Sequence, residues 1–151
     1  MKSNSQDAIE LLTADHEKVK GLFEQFEKVS DRSKVNKKKF ADQICLELTV
    51  HAQIEEEIFY PAVRAATKDN DMLDEAIVEH ASAKDLIAQI REMDPGDDLY
   101  DAKVKVLAEQ IEHHVSEEEE EMFEQARESK LDLAALGEEM AMRKDELLAS
   151  A

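Results

Sequence analysis

An all-α fold, an up-down-up-down four-helix bundle with a short fifth helix at the C-terminal end, follows from three observations on this chain. Glycine (3) and proline (2) are scarce among 151 residues, a balance that suits long helices with short connections and not sheets with many turns. Apolar residues recur at steps of three and four along four long stretches. The polar breaks between those stretches are few and short, so consecutive helices must run antiparallel. A chain of this length makes one domain, 1–151, and buries roughly two thirds of the surface that its unfolded form would expose. The bundle is expected over about 6–129 and the last helix over about 132–149.

The first helix carries Ile9, Leu12, His16, Val19, Phe23 and Phe26, with Ser3, Asn4 or Ser5 available as its cap, and polar "SDRS" at 30–33 breaks it. The second carries Phe40, Ile44, Leu48, His51, Glu55 and Phe59, with Pro61 kinking or ending it soon afterwards. "KDND" at 68–71 is the next loop. The third carries Leu73, Ile77, His80, Ala83, Ile87 and Ile90 and stops at the turn "DPGDD", 94–98. The fourth carries Val104, Leu107, Ile111, His114, Glu118 and Met122, and the fifth Leu133, Leu136, Met140 and Leu147. Helices of about 25 residues are near 38 Å long at 1.5 Å per residue. Each of the four long helices puts a histidine on its apolar stripe, and that needs a reason.

Charge and composition exclude several classes. Asp and Glu number 37 against 19 Lys and Arg, a net of −18 with His neutral, which repels phosphate backbones and draws cations. No nucleic-acid partner is expected. No apolar run approaches the ~20 residues of a membrane span, and the first residues lack a signal-peptide core, so the expectation is a cytoplasmic protein without membrane contact. The lone Cys45 rules out an intramolecular disulfide and a cysteine-rich zinc site, and reads as a buried or half-buried helix thiol.

The chain writes one phrase twice. "HAQIEEEIFY" at 51–60 and "HVSEEEEEMF" at 114–123 share a histidine, three glutamates and a bulky apolar pair; "HEKVKGLFEQF" from 16 aligns with "HASAKDLIAQI" from 80 through His, Lys, Leu and Gln. The chain therefore reads as two helical hairpins of one design, docked with approximate two-fold symmetry. Each brings one bare histidine and one His-x-x-x-Glu pair, whose members lie on one helix face about a turn apart. Four imidazoles and two carboxylates then converge in the core. Burying such carboxylates without partners costs several kcal/mol each or forces them to take up protons; a polyvalent cation removes the penalty. The candidate ligands are His16, His51, Glu55, His80, His114 and Glu118. Two bridging glutamates and two histidines per ion give each of two metals four protein ligands and leave open positions. That set suits iron, with manganese or zinc less favoured. It is richer in nitrogen than the carboxylate-dominated di-iron bundles.

"DH" at 15–16, "HAQIEEEIFYP" at 51–61, "EH" at 79–80 and "HVSEEEEEMF" at 114–123 together resemble the hemerythrin-like, or HHE cation-binding, proteins over roughly 8–125. "LGEEMAMRKDEL" at 136–147 looks like the trailing helix of bacterial members. The resemblance implies a bundle holding a non-haem, usually di-iron, centre, oxo- or hydroxo-bridged, that binds or senses oxygen or takes part in peroxide, nitrosative or iron responses. It carries the six residues over position by position, with two departures. Oxygen-carrying hemerythrins have a second histidine one turn after the third-helix one, where this chain has Lys84, and place the fourth-helix carboxylate five residues after its histidine, which here is Glu119. The repeat favours Glu118. The first departure makes redox chemistry or sensing more plausible than stable oxygen carriage. The nitric-oxide-responsive repair members carry an extra N-terminal cysteine-containing domain, not expected here.

Neighbouring residues are read as follows. Within Glu117–Glu121, Glu118 and also Glu121 should face inward, and the rest meet solvent. His113 belongs to a different face, with replacement of His114 as the alternative. Lys20 and Lys84 either snorkel to nearby glutamates, or Lys84 lines a pocket entrance and supports a bound anion or peroxide. Tyr60, beside Phe59 and Pro61, reads first as packing, with a donor to the site or a radical sink as the alternatives. The functional expectation is a protein handling O2 or peroxide at a His/Glu di-iron centre by binding, sensing or reaction; if an enzyme, it decomposes peroxide as a catalase or peroxidase does. The alternative is an iron-responsive regulatory or structural metal-binding protein without turnover, signalling to a protein partner through the C-terminal helix.

Overall fold

The computed structural model describes residues 6–29, 33–67 and 70–151. Among these there is no strand, and five helices account for nearly all of the chain. Helix α1 is Ala8–Lys28. Helix α2 spans 34–66, as Lys34–Ile54, a π-helical turn Glu55–Phe59, and Tyr60–Ala66. Helix α3 is Asp71–Glu92. Helix α4 spans 100–128, as Tyr100–Glu117, a second π-helical turn Glu118–Met122, and Phe123–Glu128. Helix α5 is Leu133–Ala149. Among the described residues no helix is long and apolar enough to cross a membrane.

Helices α1 and α2 pack along each other as one hairpin, α3 and α4 as the other, and α2 meets α3 between them. The buried apolar residues fall into two clusters. Ile9, Leu12, Ile54, Phe59, Leu73, Met122, Phe123 and Met140 belong to one; Val19, Phe26, Ile44, Leu48, Ile87 and Leu107 belong to the other. The four buried histidines, with Glu55 and Glu118, occupy the level between them, for His16 follows Leu12 by one turn and precedes Val19 by one. A polar layer thus divides an apolar core.

Three expectations are corrected. Ser3, Asn4 and Ser5 lie outside the described residues, and the cap of α1 is Asp7, whose carboxylate accepts from Glu10 N at 2.8 Å while Glu10 accepts from Asp7 N at 3.0 Å. That reciprocal capping box satisfies two of the four free N–H groups of the first turn. Pro61 neither ends nor breaks α2, because it stands where the helix restarts after the π turn and a missing N–H costs least. Ile77 is 44% exposed: at 3.6 residues per turn it lies roughly 90° from the middle of the stripe formed by Leu73, His80, Ala83, Ile87 and Ile90. Cys45 is buried, and burial pushes its thiol up to about 11.

Helix α5 lies across α1 and α2 with Met140 fully buried beneath it. The approach is close because residue 137 is glycine; a Cβ there would fall against the backbone of Gln6, Asp7 and Ala8. Gly137→Ala is expected to push α5 off the start of α1 and to destabilise the fold by about 1–3 kcal/mol, read by urea unfolding. Gly21→Ala, with open space around its would-be Cβ, is the control and should gain about 0.5–1 kcal/mol of helix propensity.

Candidate metal centre

The six side chains singled out in the sequence all meet in the polar layer, each at most 8% exposed. The two glutamates stand in the middle and each presents one oxygen to either side. Glu55 Oε2 lies 3.4 Å from His51 Nε2 and Glu55 Oε1 lies 3.1 Å from His80 Nε2. Glu118 Oε1 lies 3.2 Å from His16 Nε2 and Glu118 Oε2 lies 3.4 Å from His114 Nε2. One half of the centre is therefore built by His16 and His51 of the first hairpin, and the other by His80 and His114 of the second, with both carboxylates shared. Ligand atoms within 4.8 Å of one another group as His16, His51, Glu55 and Glu118, and as Glu55, His80 and His114.

The halves differ at one atom. On the first side His16 Nε2, His51 Nε2, Glu55 Oε2 and Glu118 Oε1 are buried and have no hydrogen-bond partner, although burying such groups unpaired costs several kcal/mol. On the second side the Tyr60 hydroxyl takes the focal position, 2.6 Å from Glu118 Oε2, 3.1 Å from Glu55 Oε1, 3.2 Å from His80 Nε2 and 3.4 Å from His114 Nε2. Its proton goes to Glu118, the shortest of the four. Tyr60 therefore serves the site as a donor and does not only pack. In a regular α-helix it would point well away from Glu55, five residues earlier. The π turn changes that: Tyr60 N–H donates to the Glu55 carbonyl, an i to i+5 bond that widens the turn and carries Tyr60 onto the face of Glu55. The same turn follows Glu118, where Phe123 N–H donates to the Glu118 carbonyl. Phe123 is the repeat counterpart of Tyr60 and stacks on His16 with centroids 6.0 Å apart. A phenol on one side faces a phenyl on the other. The second turn also corrects Glu121, which is exposed rather than turned inward.

Every histidine is held from behind. His16 Nδ1–H donates to Glu119 at 2.7 Å, His51 to Asp15 at 3.0 Å, His80 to Glu56 at 2.7 Å and His114 to Glu79 at 2.6 Å. Each carboxylate sits next in sequence to one of the six residues and holds a histidine of another helix. This fixes the ring tautomer so that all four Nε2 atoms point inward. Burial alone would push His51 down, yet the Glu55 and Asp15 carboxylates outweigh it and hold the imidazole well above its ordinary value. Burial likewise opposes, and Glu55 overcomes it, at His80. His114 is raised to about 10 against its burial, chiefly by Glu118. Glu55 lies well below the usual carboxylate range because His51 and His80 outweigh its burial.

The profile of the "Hemerythrin HHE cation binding domain" matches residues 7–126. This chain belongs to the hemerythrin HHE cation-binding family. Its fold is also that of a crystal structure of a Hemerythrin HHE cation binding domain-containing protein from Mycobacterium kansasii, at 28% identity and a TM-score of 0.82, covering 96% of this chain and 89% of that one. A DNA nickase from Nostoc sp. is 34% identical over 120 residues, which are 80% of this chain and 32% of the nickase. This chain thus spans about a third of the length of that relative.

In this hemerythrin-family bundle the π turn settles which fourth-helix carboxylate faces where: Glu118 enters the centre and Glu119 backs His16. His113 points outward, 69% exposed at its side chain, with Glu117 as its neighbour. Lys84 donates to Glu56 at 2.8 Å and so backs the carboxylate behind His80. It also lines a cavity of about 140 Å³ that reaches all four histidines and is walled mainly by Val19, Leu48, Ala83, Ile87, Ile111 and Val115.

Proposed function

We propose that this HHE protein holds two iron ions, one between His16 and His51 and one between His80 and His114, bridged by Glu55 and Glu118, and handles O2 or peroxide there. The observation that carries the reading is the set of four unpaired, buried, converging atoms on the first side, which a cation would satisfy. Four imidazole nitrogens and two carboxylates suit iron better than hard-oxygen or thiolate metals. Bound iron would supply redox exchange and open positions for a small ligand.

The remaining chemistry belongs to the chain. The apolar walls of the adjoining cavity favour a small uncharged guest such as dioxygen. Tyr60 places a proton in the His80/His114 half, and burial together with Glu55 and Glu118 holds that phenol well above its ordinary value, so it stays a donor. The name of the Nostoc relative describes a protein about 2.5 times as long; a net charge of −18 supports no phosphate-backbone contact by this domain.

Iron per chain in protein purified without oxygen, with an optical spectrum before and after air is admitted, tests the reading. Close to two irons and a near-ultraviolet band appearing with air are expected. Loss of the band under vacuum would mark oxygen binding, and its persistence reaction. A chain that holds zinc, or that chelation unfolds without any response to air, would instead be the structural or regulatory metal protein.

Cation uptake must also displace protons. His51, His80 and His114 are all held above the ordinary imidazole value, so protons compete with metal there at neutral pH, and at His114 they cease to do so only as pH rises toward about 10. We expect chelator-stripped protein to acidify a weakly buffered solution as ferrous iron or zinc is added, with apparent affinity climbing from pH 6 upward, measured by indicator dye and by chelator competition.

A further inference from the structure

Helix α5 follows the stretch that the family profile matches, yet it touches the centre through one residue. Lys144 Nζ donates to Asp15 Oδ1 at 2.6 Å, while Asp15 Oδ2 accepts the Nδ1–H of His51 at 3.0 Å. The chain Lys144–Asp15–His51 is largely shielded, with side-chain exposures of 23%, 7% and 9%. From these contacts we infer that Lys144 is a positioning residue of the metal centre: it clamps the carboxylate behind His51, so that α5 sets the aim and donor strength of one ligand in the His16/His51 half. The inference rests on the proposed metal reading for its functional meaning, but the contact does not.

Two comparisons within the molecule support it. Glu79 is the repeat counterpart of Asp15 and holds His114 at 2.6 Å, but among the described residues no cation clamps its other oxygen. The symmetry of the hairpins supplies the carboxylate on both sides, and α5 alone supplies the lysine on one. The second comparison is with Lys84, which backs Glu56 behind His80 at 2.8 Å but is itself half exposed. A cation in water adds little to an ion pair; Lys144 is less wetted, and Asp15 nearly dry. With one oxygen locked, Asp15 cannot rotate, and the plane of the His51 ring is fixed with it. The adjacent Arg143 makes a different contact, to Glu57 at 2.8 Å on the exterior of the π turn. It staples α5 to α2 without reaching the centre.

Lys144→Met, Lys144→Arg and Arg143→Met separate these roles. In ¹⁵N-histidine NMR of chelator-stripped protein, the Nδ1–H signal of His51 should move or broaden in Lys144→Met, hold near wild type in Lys144→Arg, and stay in place in Arg143→Met. In chelator competition with ferrous iron or zinc, Lys144→Met should lose about 10-fold in affinity, the lower end of what loss of such a backing group does, and Lys144→Arg should recover most of it. If Lys144→Met and Arg143→Met shift the histidine signals and the affinity alike, Lys144 merely staples α5 and the inference is overturned. A His51 signal and an affinity both unmoved by Lys144→Met overturn it equally, while the metal reading would stand. A wild-type chain that takes up no metal, with the His51 signal still responding to Lys144→Met, would uphold the contact and discard the metal reading.

Discussion

Replacing Glu55 and Glu118 together by glutamine is expected to empty both metal positions at once. Each carboxylate offers one oxygen to an imidazole of either hairpin, so neither half keeps an anionic donor in the double variant. Removing one histidine should act differently: His16→Ala takes a ligand from the first half only, and the His80/His114 half should still fill. The affinity loss in the double glutamine variant should exceed the roughly 10–100-fold typical for loss of a backing carboxylate, read as metal per chain after dialysis against a weak chelator. Glutamine keeps the shape, so the fold should survive.

The stability of the stripped double variant carries a pH signature with a definite sign. In the wild type the raised imidazoles contribute stability that is complete below their ordinary value of 6.5 and is lost as pH climbs through the folded value, about 10 for His114. The depressed Glu55 contributes stability present above its ordinary 4.5 and lost only as pH falls through a much lower folded value. Both contributions are whole between those ordinary values. Variant and wild type should therefore differ most in melting temperature around pH 4.5 to 6.5 and converge toward pH 10. A difference independent of pH would mean that the glutamates only pack.

Much of this centre is legible in the sequence because it obeys two simple periods. Steps of three and four put His16, His51, His80 and His114 on core stripes, and the offset between the hairpins pairs Glu55 with Glu118. The backing carboxylates were legible too, though only to a reader asking for them. Asp15 and Glu79 each precede a histidine, and Glu56 and Glu119 each follow a glutamate, so the repeat that found the ligands also holds their partners. The π turns were not legible. Nothing in "EEEIF" or "EEEEM" breaks helical propensity, and the extra residue is accommodated by the tertiary demand that Glu55 and Glu118 lie inside. Extrapolating a regular helix past that point misplaces Glu121, and it hides the turn that carries Tyr60 toward Glu55. Lys144 lies 129 residues from Asp15, and no local period connects them.

Tyr60→Phe is the substitution that should separate the two halves. In the chain without metal, the phenol donates its proton to Glu118 Oε2 and its oxygen lies within hydrogen-bond distance of the Nε2 atoms of His80 and His114, the service that Phe123 cannot perform on the other side. Deleting the hydroxyl leaves buried polar groups unpaired, and the stripped variant should lose about 1–3 kcal/mol of unfolding free energy. A metal between His80 and His114 would satisfy the same atoms, so the loaded variant should lose much less. Linkage then fixes the direction of binding: whatever destabilises the metal-free form alone tightens the metal by the same free energy, which is about 5- to 150-fold at 1.4 kcal/mol per decade. If the phenol competes with the ion for that position, Tyr60→Phe should bind its second metal more tightly and its first unchanged, resolved as two steps in calorimetry. If the phenol oxygen is instead itself a ligand of that ion, the second step should weaken. The unmatched pair Tyr60 and Phe123 thus makes filling ordered in the first case, with the His16/His51 half, whose four donors have no competing hydroxyl, taking its cation first.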